Sequence, residues 1–442
     1  MGKQQSVAGT AADYLIASRR CEILGLEHLL GTSRLVVSIS NLVHVLQRER
    51  GTANLFTGSA GSRCGGALDE AMARSREREQ RFRSRLRELD TGASSPASNS
   101  RLFNRIAHAL RGLDALEAVR DAIRQQSLSP ETIIEGYSAL IQALLGVVFE
   151  AADSAADHAI SAILVAMFHL MQGKEFAGQE RGIGAAGFAQ GEFGQRSRRR
   201  LQHLIDSQER CFEVFVGFAD AESLRLWNDG GAHRASAELE RLRRIALTSG
   251  TATANVDDLS EAWFDEASRR IDAMKLVEDQ LERSLETLCS ATLEQARDAL
   301  SRQRTAIEAL AAEPAPGGTF AVFLGSDERS TPDDGGTQRY TMEWGGEQLG
   351  RSLLELLQSQ SRRLQAMGEE LNGARAALAE RKNIERAKGL IMRHRRLTEE
   401  EAYRFLREVA MSQSRRLADV AADTIAMADL LGDSGEASGH RG

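Results

Sequence analysis

Proline is almost absent from this chain, and the few prolines are unevenly placed. The 442 residues contain five prolines, whereas a usual content of roughly 5% would give about 22. Three of the five, Pro314, Pro316 and Pro332, fall within one short segment. Because proline interrupts helices and is frequent in turns, a chain with so little of it is suited to long helices and poorly suited to a β-sandwich or barrel. We therefore predict an all-α protein.

Apolar residues recur every three or four positions over residues 13–300, which is the spacing of amphipathic helices. One stripe consists of Leu35, Ile39, Leu42, Val43 and Leu46, and another of Leu242, Ile245 and Ala246. Breaks that contain Ser, Gly, Pro or Asn separate the predicted helices at 91–100, 126–130, 228–234 and 248–258. We predict one large helical bundle, or two stacked bundles, over residues 13–300.

Residues 301–347 are interpreted as a linker, because proline and glycine concentrate in most of this range. A short β-hairpin is predicted within it from 319–323 and 340–342. Residues 348–380 then repeat apolar side chains at heptad spacing. This pattern favours a coiled-coil signalling helix, although an ordinary amphipathic helix packed on the rest of the protein would show it too.

Residues 381–431 are predicted to form a compact bundle of three short helices. Thr398 and Glu401 have the spacing of a capping box, which would begin the second of these helices. The last residues, 432–442, are polar and rich in glycine. We predict that they form a disordered tail.

Charge distinguishes residues 381–431 from the rest of the chain. The whole sequence has a net charge of −7, yet this segment contains eleven Lys or Arg against eight Asp or Glu. Arg415 and Arg416 fall at the predicted start of a helix, where the helix dipole disfavours cations. A phosphate backbone would be attracted both to these arginines and to the helix end. The basic segment therefore indicates a polyanion-binding surface, although a solvated charged face is the simpler alternative.

Other features exclude several classes of protein. The cysteines, Cys21, Cys64, Cys211 and Cys289, lie far apart, which is typical of free thiols in a reducing compartment. We predict a cytoplasmic protein without a signal peptide or transmembrane helix, because the sequence has no uninterrupted apolar run of sufficient length. P-loop, GxSxG and HExxH motifs are absent, and no two histidines are spaced three or four apart. We therefore predict no enzyme activity, no cofactor and no metal site.

The basic segment also resembles a known family. The runs from Glu380 to Met392, from Leu397 to Arg404 and from Ala410 to Ala421 resemble, in order, the ANTAR domain. That family consists of RNA-binding antitermination modules of bacterial regulators. The resemblance implies a three-helix fold that binds leader RNA hairpins over residues 381–431. It places RNA-contacting positions at Arg386, Ala387, Lys388, Gly389, Arg404 and Arg416.

A three-residue motif, Glu-Arg-Gly, occurs twice in the N-terminal region, at residues 49–51 and 180–182. Each copy follows an apolar-periodic helix, and a third basic cluster lies at residues 241–244. The simplest interpretation is that these arginines form ion pairs with the adjacent glutamates. The segment 182–187 also matches GxGxxG, but the residues before it have a helical pattern, so we reject a dinucleotide site.

The surroundings of these motifs resemble the NIT domain, a helical module that senses nitrate and nitrite. The resemblance is carried by residues 42–51, by 171–182 with Gly187-Phe188 and Gly191-Glu192-Phe193 after them, and by 242–244. It implies a NIT domain within residues 13–300, with a nitrate or nitrite site at Arg50, Arg181 and Arg244; Arg243 is the alternative to the last. Gln179 and His44 are candidate neutral donors, and five glycines between 178 and 191 would allow close contacts.

The chemistry of nitrate is consistent with an arginine site. Nitrate is a planar monoanion with three acceptor oxygens, and a planar guanidinium presents matching parallel donors. Buried arginines that converge repel one another, so entry of an anion would relieve the repulsion and favour one conformational state over another.

Together these observations predict a regulator of transcription antitermination that binds leader RNA in response to nitrate or nitrite, with no membrane partner. The heptads favour a homodimer. One alternative is a ligand-gated signalling scaffold whose C-terminal bundle binds protein or DNA. A catalytic alternative, in which the arginine pocket processes an oxyanion, lacks an accompanying nucleophile or cofactor motif.

Overall fold

A computed structural model of the chain describes residues 11–62, 64–89, 100–155, 157–233, 235–248, 256–312, 319–322, 340–343, 379–413 and 415–432. Within these ranges, helices make up all of the regular structure except one two-stranded hairpin. The prediction of an all-α protein is confirmed. The density of internal contacts divides the chain into two compact units.

The first unit comprises residues 1–28 and 289–370. It contains the beginning of α1 (Ala11–Gly58) and the end of α10 (Val256–Ala312). Arg297 pairs there with Glu27 at 2.6 Å. The predicted hairpin is confirmed as β1 (Thr319–Val322), which pairs antiparallel with β2 (Tyr340–Glu343).

The predicted linker starts later than expected. Residues 301–312 belong to α10 and are therefore helical. The physical reason is local composition, because this stretch contains neither glycine nor proline and consists largely of good helix formers. Most of the predicted coiled-coil helix, 348–378, lies outside the described residues.

The second unit comprises residues 29–288 and 371–442. We call its residues 29–288 the body. Between α1 and α10 the body contains α2 (Gly65–Arg87), α3 (Ser100–Asp114), α4 (Leu116–Arg124), α5 (Pro130–Ser154), α6 (His158–Gln190), α7 (Gln195–Phe218), α8 (Ala221–Asp229) and α9 (Ala237–Thr248). The predicted break at 126–130 follows α4 and reaches the first residue of α5, and the break at 228–234 begins in the last residues of α8. Most of the other two, 91–100 and 248–258, lies outside the described residues. Ser129 caps α5 in front of Pro130, and Asp157 caps α6 by accepting from the Ile160 amide at 3.0 Å.

The core of the body forms around α1 and α6. The predicted stripe from Leu35 to Leu46 is fully buried at every position. Helix α6 packs against both α5 and α7. A side chain at Gly184 would collide with the Trp263 ring at 2.0 Å, so α10 approaches α6 too closely for any other residue there. The expectation that this glycine allows a close helix contact is confirmed.

We call the C-terminal helices the output bundle. It consists of α11 (described over 379–395), α12 (Glu399–Ser412) and α13 (Leu417–Gly432). Their shared core contains Ala387, Ile391, Ala402, Leu406, Ala410, Val420, Ala421 and Ile425. The capping box of Thr398 and Glu401 is present at the start of α12, as predicted. Helix α13 includes Gly432, the first residue of the predicted tail, and 433–442 lie outside the described residues.

Two helices are long and apolar enough to cross a membrane by length and composition. They are Asp13–Gly58 in α1 and Pro130–Ser154, which is α5. About half of each apolar stretch is buried inside the protein, at 56% and 50%. Core helices of a bundle pass the same test, so the finding is weak evidence for a membrane span.

Candidate anion site and nucleic-acid interface

The two Glu-Arg-Gly motifs meet in the body, one on α1 and the other on α6. A Cβ atom at Gly178 would lie 3.0 Å from Nη2 of Arg50, and a Cβ at Gly51 would lie 3.4 Å from Nη2 of Arg181. Each arginine therefore extends towards a glycine next to the other arginine. The absence of side chains at these glycines leaves room for the two guanidinium groups. The structure thus brings together Arg50 and Arg181, as the sequence predicted.

Arg50 is buried, and one carboxylate accompanies it. Its Nη1 donates to the Glu175 carboxylate at 2.5 Å and to the Ser138 hydroxyl at 2.7 Å. Glu175 has no solvent exposure, and it also accepts from the amides of Gln47 and Gln179, each at 2.9 Å. The guanidinium of Arg50 is therefore held in place from α5 and α6.

Arg181 differs, because its contacts in the described part of the chain are with neutral groups. Nη1 donates to the Ser268 hydroxyl at 2.9 Å, and the guanidinium lies 4.8 Å from the centroid of the Phe264 ring. Burial, followed by the nearby charge of Arg50, lowers the pKa of Arg181 to about 10. The arrangement leaves positive charge that is only partly compensated beside Arg50, which is the condition an anion would satisfy.

The structure does not place Arg244, the third predicted arginine, beside Arg50 and Arg181. Arg244 is exposed on α9, whereas its neighbour Arg243 is buried. Arg243 forms a two-pronged ion pair with Glu180 at 2.7 and 2.8 Å and another with Glu240 at 2.7 Å. Its guanidinium is thus occupied by carboxylates.

The glutamates of the two motifs bind other arginines than their neighbours. Glu49 pairs with the buried Arg120 at 2.7 and 2.9 Å and also accepts from the Tyr137 hydroxyl. Glu180 pairs with Arg243 in the same manner. The simple interpretation, in which each arginine pairs with a nearby glutamate, is therefore wrong for Arg50 and Arg181. It is confirmed for Arg241 and Arg243 of the third cluster, which pair with Glu238 and Glu240. Successive helical side chains point about 100° apart, so the glutamates hold helices together while Arg50 and Arg181 face one another.

The candidate neutral donors take different positions. Gln179 donates to Glu175 and accepts from Arg200 of α7 at 2.9 Å, so it links the arginine pair to the next helix. His44 borders a separate cavity of about 140 Å³ between α1 and α2. Burial, followed by the charge of Lys174, lowers the pKa of His44 to about 3, which leaves the imidazole neutral at pH 7.

The fold settles two other sequence interpretations, those of the GxGxxG match and of the cysteines. The GxGxxG match at 182–187 lies inside α6, without a preceding strand, so its rejection as a dinucleotide site is confirmed. The four cysteines are free thiols. Among the described residues, no group of three or more His, Cys, Asp or Glu is arranged to hold a metal ion.

Some of the predicted RNA-contacting residues of the output bundle are exposed, and others are buried. Arg386 and Arg416 are exposed, while Arg404 and Gly389 are partly exposed. Ala387 lies in the bundle core. Lys388 is buried, and its amine donates to Glu385 and Glu399 at 2.9 Å each. Arg416, just before α13, pairs with Glu380 near the start of α11.

The output bundle contacts α7 of the body. The Tyr403 ring lies 5.2 Å from the His203 ring and 4.7 Å from the Arg210 guanidinium. Arg407 pairs with Asp206 at 2.9 Å. Burial, followed by the charges of Arg200 and Lys388, lowers the pKa of His203 to about 4, so this ring is neutral when it stacks.

A groove of about 460 Å³ lies beside this contact. The body contributes three acidic residues and one arginine to it, and the output bundle contributes two arginines; the charged lining residues are Asp206, Glu209, Arg210, Glu213, Arg407 and Arg415. The face of the output bundle that carries Arg407 and Arg415 is thus turned towards carboxylates. Carboxylates and phosphates attract arginine in the same way.

Comparisons with known proteins agree with this architecture. Residues 41–286 match the family model for nitrate and nitrite sensing, NIT, and residues 372–425 match the ANTAR domain. The chain is 31% identical over 409 residues to the nitrate regulatory protein of Klebsiella oxytoca, with 92% of this chain and 93% of that protein covered. It is also similar to the solved structure of the NasR transcription antiterminator, at 30% identity and a TM-score of 0.60, covering 95% of this chain and 99% of that one. The chain therefore belongs to the family of nitrate regulatory proteins that join a NIT domain to an ANTAR domain.

Proposed function

We propose that this protein is a nitrate- or nitrite-responsive regulator of transcription antitermination. The body binds the anion between Arg50 and Arg181. The output bundle binds hairpins in a leader transcript and thereby suppresses a terminator. We place the protein in the cytoplasm as a homodimer, with nitrate or nitrite and leader RNA as its partners.

The observation that carries the proposal is the meeting of the two arginines. Arg50 has one carboxylate partner, and Arg181 has a hydroxyl and an aromatic ring. Two cations beside one anion in a buried place are costly unless a further negative charge enters. A planar monoanion with several acceptor oxygens satisfies both guanidinium groups, and the Ser138 and Ser268 hydroxyls supply further donors at the same place.

The proposal places the site on Arg50 and Arg181 first. Arg244 is exposed on α9 and would reach the anion only after a rearrangement of that helix. Arg243 would have to leave two carboxylates, which is costly for a buried ion pair. In this proposal α9 supports the site by holding Glu180 of α6.

On the output bundle, the proposal assigns phosphate contacts to Arg386, Arg404 and Arg416, the predicted residues whose side chains reach the surface. Ala387 has a packing role, because it is fully buried in the bundle core. Lys388 would contact RNA only after it is released from Glu385 and Glu399. Gly389 has open space around it, so a nucleic-acid backbone could approach α11 closely there.

Coupling between the sites follows from the contact with α7. Gln179 joins the arginine site to Arg200 of α7, and the next turn of α7 carries His203 and Asp206, which contact the output bundle. Entry of nitrate beside Glu175 would rearrange these hydrogen bonds and weaken the hold of α7 on Tyr403 and Arg407. The conduit predicted from sequence, a helix around Leu364 and Leu371, lies outside the described residues and stays a prediction.

The decisive experiment is filter binding of the full chain to a leader RNA that contains paired hairpins, with and without nitrate. We expect nitrate to tighten RNA binding, and Arg181→Ala to remove that response without changing nitrate-free binding. Duplex DNA of arbitrary sequence is the control. Equal binding to that DNA, or RNA binding that ignores nitrate in the wild type, would contradict the proposal and favour a scaffold with another partner.

A further inference from the structure

Glu175 is the one acidic group in direct contact with the arginine pair among the described residues. Its carboxylate is fully buried, and every hydrogen bond it makes comes from the site: from Arg50, from Gln47 and from Gln179. No pattern in the sequence distinguishes Glu175 from its neighbours, since it lies inside a run that resembles the NIT domain as a whole. Its burial and its partners mark it as part of the anion site.

The charges of the site can be counted from these contacts. Arg50 and Arg181 contribute two positive charges, and Glu175 contributes one negative charge, which leaves a net charge of +1. Asp272 and Arg48 are the other charged groups that influence Arg181. Each affects the pKa of Arg181 more than Glu175 does, but they have opposite signs, so their contributions to the charge of the site offset each other.

From this balance we infer that Glu175 is an internal counter-ion that makes the site selective for monovalent anions, an inference that rests on the proposed nitrate site. A monoanion brings the buried cluster to neutrality. A dianion such as sulfate would leave one uncompensated negative charge in a place shielded from water, which is strongly unfavourable. Without Glu175 the two arginines would match a dianion as well as they match nitrate.

The position of Glu175 fits this role. Two amides fix its carboxylate from α1 and from the next turn of α6. The carboxylate occupies one terminal nitrogen of Arg50, whereas Nη2 of Arg50 faces Gly178 and Nη2 of Arg181 faces Gly51. The incoming anion can therefore bind the remaining donors while Glu175 stays in place.

The test is calorimetric titration of the full chain with sodium nitrate and with sodium sulfate, for the wild type and for Glu175→Gln. Glutamine keeps the shape and one acceptor but removes the charge. We expect nitrate to bind the variant roughly ten- to a hundredfold more tightly, and sulfate, which the wild type rejects, to bind measurably. Glu150→Gln is the matched control, because Glu150 is also buried in the body but pairs with the exposed Arg101 and Arg105 of α3; it should leave sulfate excluded.

Nitrate binding that is unchanged or weaker in folded Glu175→Gln, with sulfate still excluded, would overturn the inference while leaving the nitrate site intact. If the wild type itself fails to bind nitrate, the proposed function fails instead. If Glu175→Gln does not fold, two further measurements test the inference. Glu175→Asp keeps the charge and should still exclude sulfate, and sulfate should not displace nitrate from the wild type; displacement in either case would contradict the inference.

Discussion

The arginines of the body and those of the output bundle have opposite surroundings. Arg50, Arg120 and Arg243 of the body are buried and held by carboxylates, whereas Arg386 and Arg416 of the output bundle reach the surface. A buried site with fixed charge suits one small anion, because desolvation makes every unpaired charge expensive. An exposed set of arginines suits a polyanion, whose many weak contacts add up and depend on salt. In the proposed function, the two regions thus use one side chain for two kinds of recognition.

The largest expected effect is loss of the nitrate response when either arginine of the body site is removed. The two substitutions should have opposite effects on the stability of the ligand-free protein. Arg181→Ala should abolish the nitrate-induced rise in melting temperature and leave the ligand-free protein at least as stable, because it removes the repulsion with Arg50. Arg50→Ala should abolish the response too. It leaves the buried Glu175 carboxylate without its ion-pair partner, so the free energy of unfolding should fall by about 3–5 kcal/mol. Arg50→Lys should also fail to respond, since lysine lacks the paired donors. Thermal unfolding with and without nitrate measures both effects, and equal stability of the two alanine variants would contradict the described geometry.

A smaller effect is expected when exposed arginines of the output bundle are removed. Arg386→Ala or Arg416→Ala should weaken RNA binding at every nitrate concentration and reduce the slope of log affinity against log salt by about one. Nitrate binding to the body should not change. Filter binding over a range of salt concentrations gives the slope. An unchanged slope in both variants would show that the phosphates are bound elsewhere.

Acid should destabilise the body through its buried histidines. The pKa of His44 and of His169 is lowered to about 3 by burial first, and that of His203 to about 4. Below about pH 6.5 these histidines are protonated in the unfolded chain but stay neutral in the folded state. The free energy of unfolding is therefore highest near pH 7 and decreases as the pH falls. The loss at pH 5 should reach up to about 2 kcal/mol for each histidine. Urea unfolding at both pH values measures it, and His169→Leu should lose less than the wild type; equal stability at pH 5 and 7 would rule this out.

The smallest effect is expected at the contact between the two regions. Asp206→Asn removes one half-exposed ion pair with Arg407 and leaves the output bundle unaltered. Pairs of this kind contribute about 0.2–1 kcal/mol, so nitrate-free RNA affinity should rise by at most about fivefold. Asp229→Asn is the control for removal of an acidic side chain, because Asp229 is exposed at the end of α8. A fall in RNA affinity in Asp206→Asn would mean that the contact assists RNA binding instead of opposing it.

Local patterns were enough to predict much of this fold. The α1 stripe, the break between α4 and α5 and the capping box of Thr398 depend on neighbours within one or two turns, and all are confirmed. The meeting of Arg50 and Arg181 was anticipated from a resemblance, since no local pattern reports that two helices touch. Ser138, Ser268 and Phe264 lie on other helices and gave no signal in the sequence.

Helical phase explains what the sequence could not decide. Arg243 and Arg244 are neighbours whose side chains point about 100° apart, so packing of α9 against α6 determines which one is buried. The same holds for Ala387 and Lys388, which face the core and the carboxylates while Arg386 beside them faces solvent. A basic run identifies the module, but only the fold tells which of its cations is accessible.

The central claim is that the anion site and the RNA surface are thermodynamically linked. Calorimetric titration of nitrate into the full chain, with and without saturating leader RNA, tests it most directly. Because linkage is reciprocal, RNA must tighten nitrate binding by the same factor by which nitrate tightens RNA binding, typically about 5- to 150-fold. The account predicts equal factors in that range for the wild type. Nitrate affinity that is the same with and without RNA would contradict it.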